Sequence, residues 1–195
     1  FIKKLLSLLA PDALLILLEP ALKETATRLM QIRDTVTQST GLKILSPCLH
    51  HEQCALLAEG RFWYHEVRKW QPPPSLQRIN SMLHRKLHEL KWSHLVLQKT
   101  ETDQTKRSAS TSTPLQARLI APMAKMKGQF LTRVCAEDSQ LKEIAITTSK
   151  LDPPTRHTLK NLNRGDLVTL DNLHPLKNPN SWRAKHPGSF RLSEF

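Results

Sequence analysis

Residues 13–18 are Ala-Leu-Leu-Ile-Leu-Leu, six apolar residues between Pro11-Asp12 and Glu19-Pro20. Prolines at both ends leave too little length for a stable helix, although leucine itself favours helices over strands. Six residues suit a strand, and an unbroken apolar run predicts one buried on both faces, as in a parallel sheet. From 21 to 40, Leu22, Ala26, Leu29, Ile32 and Val36 recur at helical spacing, and Gly41 stands where a C-cap belongs. Leu42-Lys43-Ile44-Leu45 then reads as a second strand, ending at Ser46-Pro47-Cys48. Strand, helix and strand in this order form a βαβ unit and predict an open α/β sheet.

The opening residues, Phe1-Ile2-Lys3-Lys4 followed by leucines, imitate a signal peptide. Residues 4–9 read instead as the end of an amphipathic helix stopped by Pro11, and no small-residue cleavage site follows. A spanning helix needs about 20 apolar residues, so no membrane segment is expected. The first residue is Phe rather than Met, which suggests a fragment or a processed chain.

Residues 75–90 have a helical, basic pattern, and 92–99 read as a further strand. Residues 100–114 are polar and rich in Ser and Thr, the composition of a linker. Beyond it, 117–120, 128–135, 141–148 and 167–170 are short strand candidates. One short helix, capped by Asp152, begins at Pro153-Pro154. That succession predicts a small β-barrel-like domain over 115–172, and the proline-rich basic residues 173–195 read as a tail.

Twenty-nine Lys and Arg against 17 Asp and Glu give a net charge of +12. So large an excess favours a polyanionic partner, whereas 5 glycines disfavour a glycine-rich phosphate cradle. Arg61, Arg68, Lys69, Arg78, Arg85, Lys86 and Lys91 lie close in sequence to Trp63, Trp70 and Trp92. Cations neutralise phosphates and tryptophans stack on unpaired bases, so this stretch is a candidate RNA surface. The plainer alternative is a solvated helix with core tryptophans.

Three cysteines, an odd count, indicate a reducing compartment rather than a disulfide scaffold. Cys48 and Cys54 have five residues between them, His50 and His51 among these. His65 lies eleven residues beyond Cys54, and Cys135 is distant. Thiolates and imidazoles suit borderline metals and iron–sulfur clusters, whereas buried free cysteines are the inert alternative. Nothing marks an oxyanion hole for a Cys/His nucleophile, nor a pair of hydrolytic carboxylates.

The segment Ser46-Pro47-Cys48-Leu49-His50-His51-Glu52-Gln53-Cys54 carries a resemblance, together with Trp63-Tyr64-His65-Glu66, Trp70-Gln71-Pro72-Pro73-Pro74 and Arg164-Gly165-Asp166-Leu167. The chain resembles, over roughly residues 5–170, the methyltransferase-like family of small-ribosomal-subunit assembly proteins of bacteria and mitochondria. The resemblance implies the C-terminal part of a class I methyltransferase-like sheet (residues 1–99, with a Cys-containing insert) and an appended small β domain. It implies an iron–sulfur cluster on Cys48, Cys54 and Cys135, with Tyr64 at the family's fourth cysteine position. His65 or His50 would then be the remaining ligand. It also implies small-subunit rRNA and ribosomal assembly intermediates as partners, in the cytoplasm if bacterial or the mitochondrial matrix if eukaryotic. By family comparison residues 13–18 are about the fifth strand, which places an S-adenosylmethionine site upstream of residue 1, in a full-length chain only. An active rRNA methyltransferase and a metal-free nucleic-acid module are the competing expectations.

Overall fold

In a computed structural model, residues 2–37, 42–100 and 114–193 are described. The first part contains α1 (Ile2–Leu8), β1 (Leu14–Pro20), α2 (Lys23–Thr37), β2 (Leu42–Ser46), α3 (Ala55–Glu59), β3 (Glu66–Lys69), α4 (Pro74–Met82) and β4 (Glu89–Lys99). The second contains β5 (Leu115–Leu119), β6 (Ala124–Met126), β7 (Gln129–Ala136), β8 (Leu141–Thr147), α5 (Pro153–Lys160), β9 (Leu167–Leu170), β10 (His174–Pro175), β11 (Ser181–Ala184) and β12 (Phe190–Leu192). The chain is a mixed α/β protein dominated by sheet. The expected C-cap at Gly41 and most of the expected linker lie outside the described residues.

The βαβ expectation holds in its elements and changes in its pairing. β4, the longest strand, runs antiparallel between β1 and β2, so these two are parallel but not neighbours. β3 also pairs with β4. The predicted face of α2 delivers Leu29 and Val36 into a core with Ile44, Leu95 and Leu97. β1 is not buried on both faces as expected: Leu15 and Leu17 face α2, while Leu14, Ile16 and Leu18 are 51%, 57% and 66% exposed. Among the described residues one layer of helix covers one face of this sheet, and a continuous apolar run cannot say how many faces will be covered.

The expected helix over 75–90 is α4 alone. His84 adopts the left-handed conformation at φ 52°, the Arg85 amide donates to the Asn80 carbonyl at 2.7 Å, and the chain turns back towards β4.

The second part is an open eight-stranded sheet, ordered β10-β11-β8-β7-β5-β9-β12, with β6 beside β7. The expected barrel does not close among the described residues, because β10 and β12 end the order unpaired with one another. Leu119, Phe130, Val134, Ile144, Ile146 and Val168 still share one core, onto which α5 adds Leu159. Asp152 caps α5 as expected, accepting from the Thr155 amide at 2.8 Å. The expected tail is a second correction: 174–192 supplies three strands, with β11 parallel to β8 and Phe190 and Ala184 in the core. Proline and lysine content concealed the apolar residues that anchor this segment.

A third apolar cluster joins the two sheets: Met30, Cys54, Leu56 and Tyr64 pack against Ile120, with Cys135 and Leu141 at its margin. Beside it, Arg118 of β5 donates to the carbonyls of Pro47 (2.7 Å) and Gly165 (2.6 Å). Arg68 of β3 pairs with Glu66 at 2.9 Å and with Asp166 at 3.2 Å. Gly165 has φ 91°, and a Cβ there would stand 2.7 Å from Glu66 Cδ. Gly165→Ala therefore combines backbone strain with a steric clash at the joint, and should lower stability by about 2 kcal/mol or more. Gly128→Ala, where φ is 73° and space is open, should lose only about 1 kcal/mol. Urea unfolding of both variants compares them, and equal losses would show that the joint yields to the extra methyl.

Candidate functional site

Arg33 is the residue from which the cysteine region is built. It sits four residues after Leu29 and seven after Ala26, which places it on the apolar stripe of α2, and it is 2% exposed. A buried guanidinium must find acceptors, and Arg33 takes them from the chain that follows β2. It donates to the Glu52 carbonyl and to the His50 carbonyl (2.6 Å), and pairs with Asp34 at 2.7 Å. Asp34 in turn accepts from the Cys54 amide at 2.9 Å. Two adjacent residues of one helix thus fold the loop 48–54 over themselves. Burial opposes the charge on Arg33, but Cys48 and Asp34 outweigh it and raise its pKa.

The loop, α2, β4, β5 and β7 enclose a cavity of about 50 Å³ lined by Cys48, Cys54, Cys135, His50, Tyr64 and Arg118, among others. All three cysteines reach it, although the first and last stand 87 positions apart in the sequence. No disulfide joins them. Burial, reinforced by Cys48, pushes the Cys54 thiol up to about 11. Burial drives Cys135 further in the same direction, with Cys48 and Cys54 adding to it.

The neutral tautomer of His50 follows from its neighbours. Arg33 Nη2 can only donate, and it lies 3.3 Å from His50 Nδ1, so the ring proton sits on Nε2. Nε2 faces Cys135 Sγ at 3.7 Å. Burial and then Arg33 lower the His50 pKa to about 4. Tyr64 donates its hydroxyl proton to Glu66 Oε1 at 2.7 Å. Burial foremost, and the Glu66 carboxylate against the pull of Arg118, hold that phenol well above its ordinary range. His94 lies across from it, with Nε2 2.8 Å from Ser46 Oγ and Nδ1 buried without a hydrogen-bond partner.

His65 does not line this cavity. Its ring lies 3.0 Å from Arg164 Nη1 and 5.9 Å from the Trp63 ring, and burial together with Arg164 lowers its pKa. The three thiols line one cavity, and His65 is not among its lining residues. The Tyr64 proton is engaged by Glu66, both His50 nitrogens are committed, and His65 points elsewhere. Among the described residues no group of three or more His, Cys, Asp or Glu is arranged to hold a metal ion. The donor set present does not complete the four-ligand site that the family resemblance implies.

The basic candidates separate into two groups. Arg68 is spent at the joint, and Arg61 lies over the Phe62 ring at 5.1 Å. Lys69, Arg85 and Lys86 line a second, wider groove of about 950 Å³ together with Trp70, and Arg78 is exposed on α4 of the same arm. Trp63 donates to the Ala21 carbonyl and packs in the joint cluster, so it is structural.

A model of the family described as mitochondrial small ribosomal subunit Rsm22 matches residues 1–169. The chain belongs to the Rsm22 family. This agrees with the resemblance read from residues 46–54 and 63–66. No curated protein matches the chain. In this Rsm22 family member, sequence reasoning missed Arg33, Glu66, His94 and Arg118. Only Arg33 left a signal, as a charge on the apolar stripe of α2.

The raised thiol pKa values are testable by alkylation at pH 8 after chelator treatment. Moving a thiol from its ordinary value of 9.0 to about 11 lowers its thiolate fraction at that pH roughly a hundredfold. Cys54 should react slower than in the unfolded chain by about that factor, and Cys135 slower still. Rates within a few-fold of the unfolded chain would mean that the cavity opens readily.

Proposed function

We propose that this Rsm22 family member binds small-subunit rRNA in ribosomal assembly intermediates, acting as a binding factor in the mitochondrial matrix. The family relates to the mitochondrial small ribosomal subunit. The observation that carries the reading is the arm formed by residues 69–91. It holds Lys69, Arg78, Arg85, Lys86 and Lys91 against a single carboxylate, Glu89, and its helix α4 buries no side chain. Cations on a projecting element with no core of its own are available to phosphates, whereas Arg33, Arg68 and Arg118 are committed within the fold. The first sheet supports a methyltransferase-like reading, since two parallel strands joined by a helix flank an antiparallel strand. The proposed role needs neither metal nor catalytic step.

Binding to a small-subunit rRNA fragment should weaken steeply with salt, the log–log slope falling by about 0.9 for each phosphate contact on duplex. The triple variant Arg78→Glu, Arg85→Glu, Lys86→Glu should bind at least about tenfold more weakly and with a shallower slope, since up to three contacts are removed. Filter binding from low to moderate salt measures both. A slope that does not change between the two proteins would remove the arm from the interface.

A further inference from the structure

The groove on the arm has a shape and lining that phosphate binding alone does not require. Its floor is made where β3 ends at Lys69 and the half-buried Trp70 donates its amide to the His88 carbonyl at 2.9 Å, which closes the base of the arm. α4 forms one wall. The left-handed turn at His84 sends the chain back, so that Arg85, Lys86 and His88 form the other. The open groove offers about 950 Å³, at the upper end of the roughly 300–1,000 Å³ found for small-ligand clefts. A concavity of this size takes a nucleotide or two, not a double helix.

Its chemistry is that of an unpaired nucleotide. Trp70 offers an aromatic face to a base, Asn80 and His84 can hydrogen-bond base edges, and Lys69, Arg85 and Lys86 surround the position of a backbone. Around it the arm exposes Leu76, Ile79, Met82 and Leu83, apolar surface that a stack of bases can cover and a duplex backbone cannot. An acidic protein segment would meet the cations, but would leave the tryptophan and the base-edge groups without matched partners.

We propose that the groove between α4 and the 84–89 return captures unpaired nucleotides of RNA, with Trp70 as the stacking residue. This rests on the RNA-binding reading above and adds to it a single-stranded specificity that charge does not confer.

The test uses the whole chain, a fluorescein-labelled single-stranded RNA of about ten nucleotides and an RNA duplex, read by polarisation at several salt concentrations. Stacking on one aromatic side chain carries about 1–3 kcal/mol per base, so Trp70→Ala should weaken single-strand binding roughly five- to hundredfold. Trp70→Phe should retain most of the affinity, and duplex binding with its salt slope should stay unchanged in both. Because Trp70 is half-buried, a second variant guards against misfolding: Ser81→Leu plugs the groove from an exposed position and leaves the charge intact. It should lose single-strand binding like Trp70→Ala. Retained single-strand binding in both Trp70→Ala and Ser81→Leu, or equal losses on duplex and single strand, overturns the stacking groove while leaving the RNA reading in place. Absence of salt-dependent binding to either RNA by the parent chain overturns both.

Discussion

The joint around Glu66 is the constraint on which the remaining structure depends. Glu66 comes from β3 at the edge of the first sheet, and Arg118 comes from β5 in the second. Glu66 receives the Tyr64 hydroxyl and the Arg68 guanidinium, and Arg118 Nη1 stands 3.9 Å from it. Arg118 also holds the Pro47 and Gly165 carbonyls. A buried carboxylate is tolerable only when such partners surround it, and removing one partner from a buried pair costs about 3–5 kcal/mol. The two sheets are therefore held by directional bonds as well as by the apolar cluster of Met30, Leu56, Tyr64 and Ile120. Without that registration Cys135 would not reach the cavity that Cys48 and Cys54 line.

A second buried charge shapes the cavity from the other side. Arg33 and Asp34 order the loop after β2, and the loop carries two of the three thiols. With its proton on Nε2, His50 spans Arg33 and Cys135, so helix, loop and second sheet are linked through one neutral ring. The cavity is consequently a largely apolar space at the junction of the two sheets. The arm of 69–91 is its physical opposite: it projects, buries almost nothing and concentrates cations. One region stores the fold's buried charge, and the other presents charge outward, where a polyanion can reach it.

Much of this was legible in the residues. The proline brackets of 11–20, the apolar spacing of 22–36 and the Asp152-Pro153-Pro154 cap encode local geometry, and β1, α2, β2 and α5 appear where those signals place them. The motif 46–54 with Trp63-Tyr64 indicated the family, whereas the basic residues of 61–91 marked a candidate RNA surface without the turn at His84 that makes it an arm. Periodicity and capping report short-range physics, which a sequence carries directly.

Tertiary structure decided the rest because it depends on residues far apart in the chain. That β4 inserts between β1 and β2, and that 174–192 completes the second sheet, follow from pairings no local pattern specifies. Tyr64 and His65 are adjacent, yet one faces the thiols and the other Arg164, since alternate residues of extended chain point to opposite sides. Arg68 and Arg85 look equivalent in sequence, but Glu66 and Asp166 claim the first and leave the second to the groove. Sequence determined which groups the chain possesses, and packing determined which of them remain available.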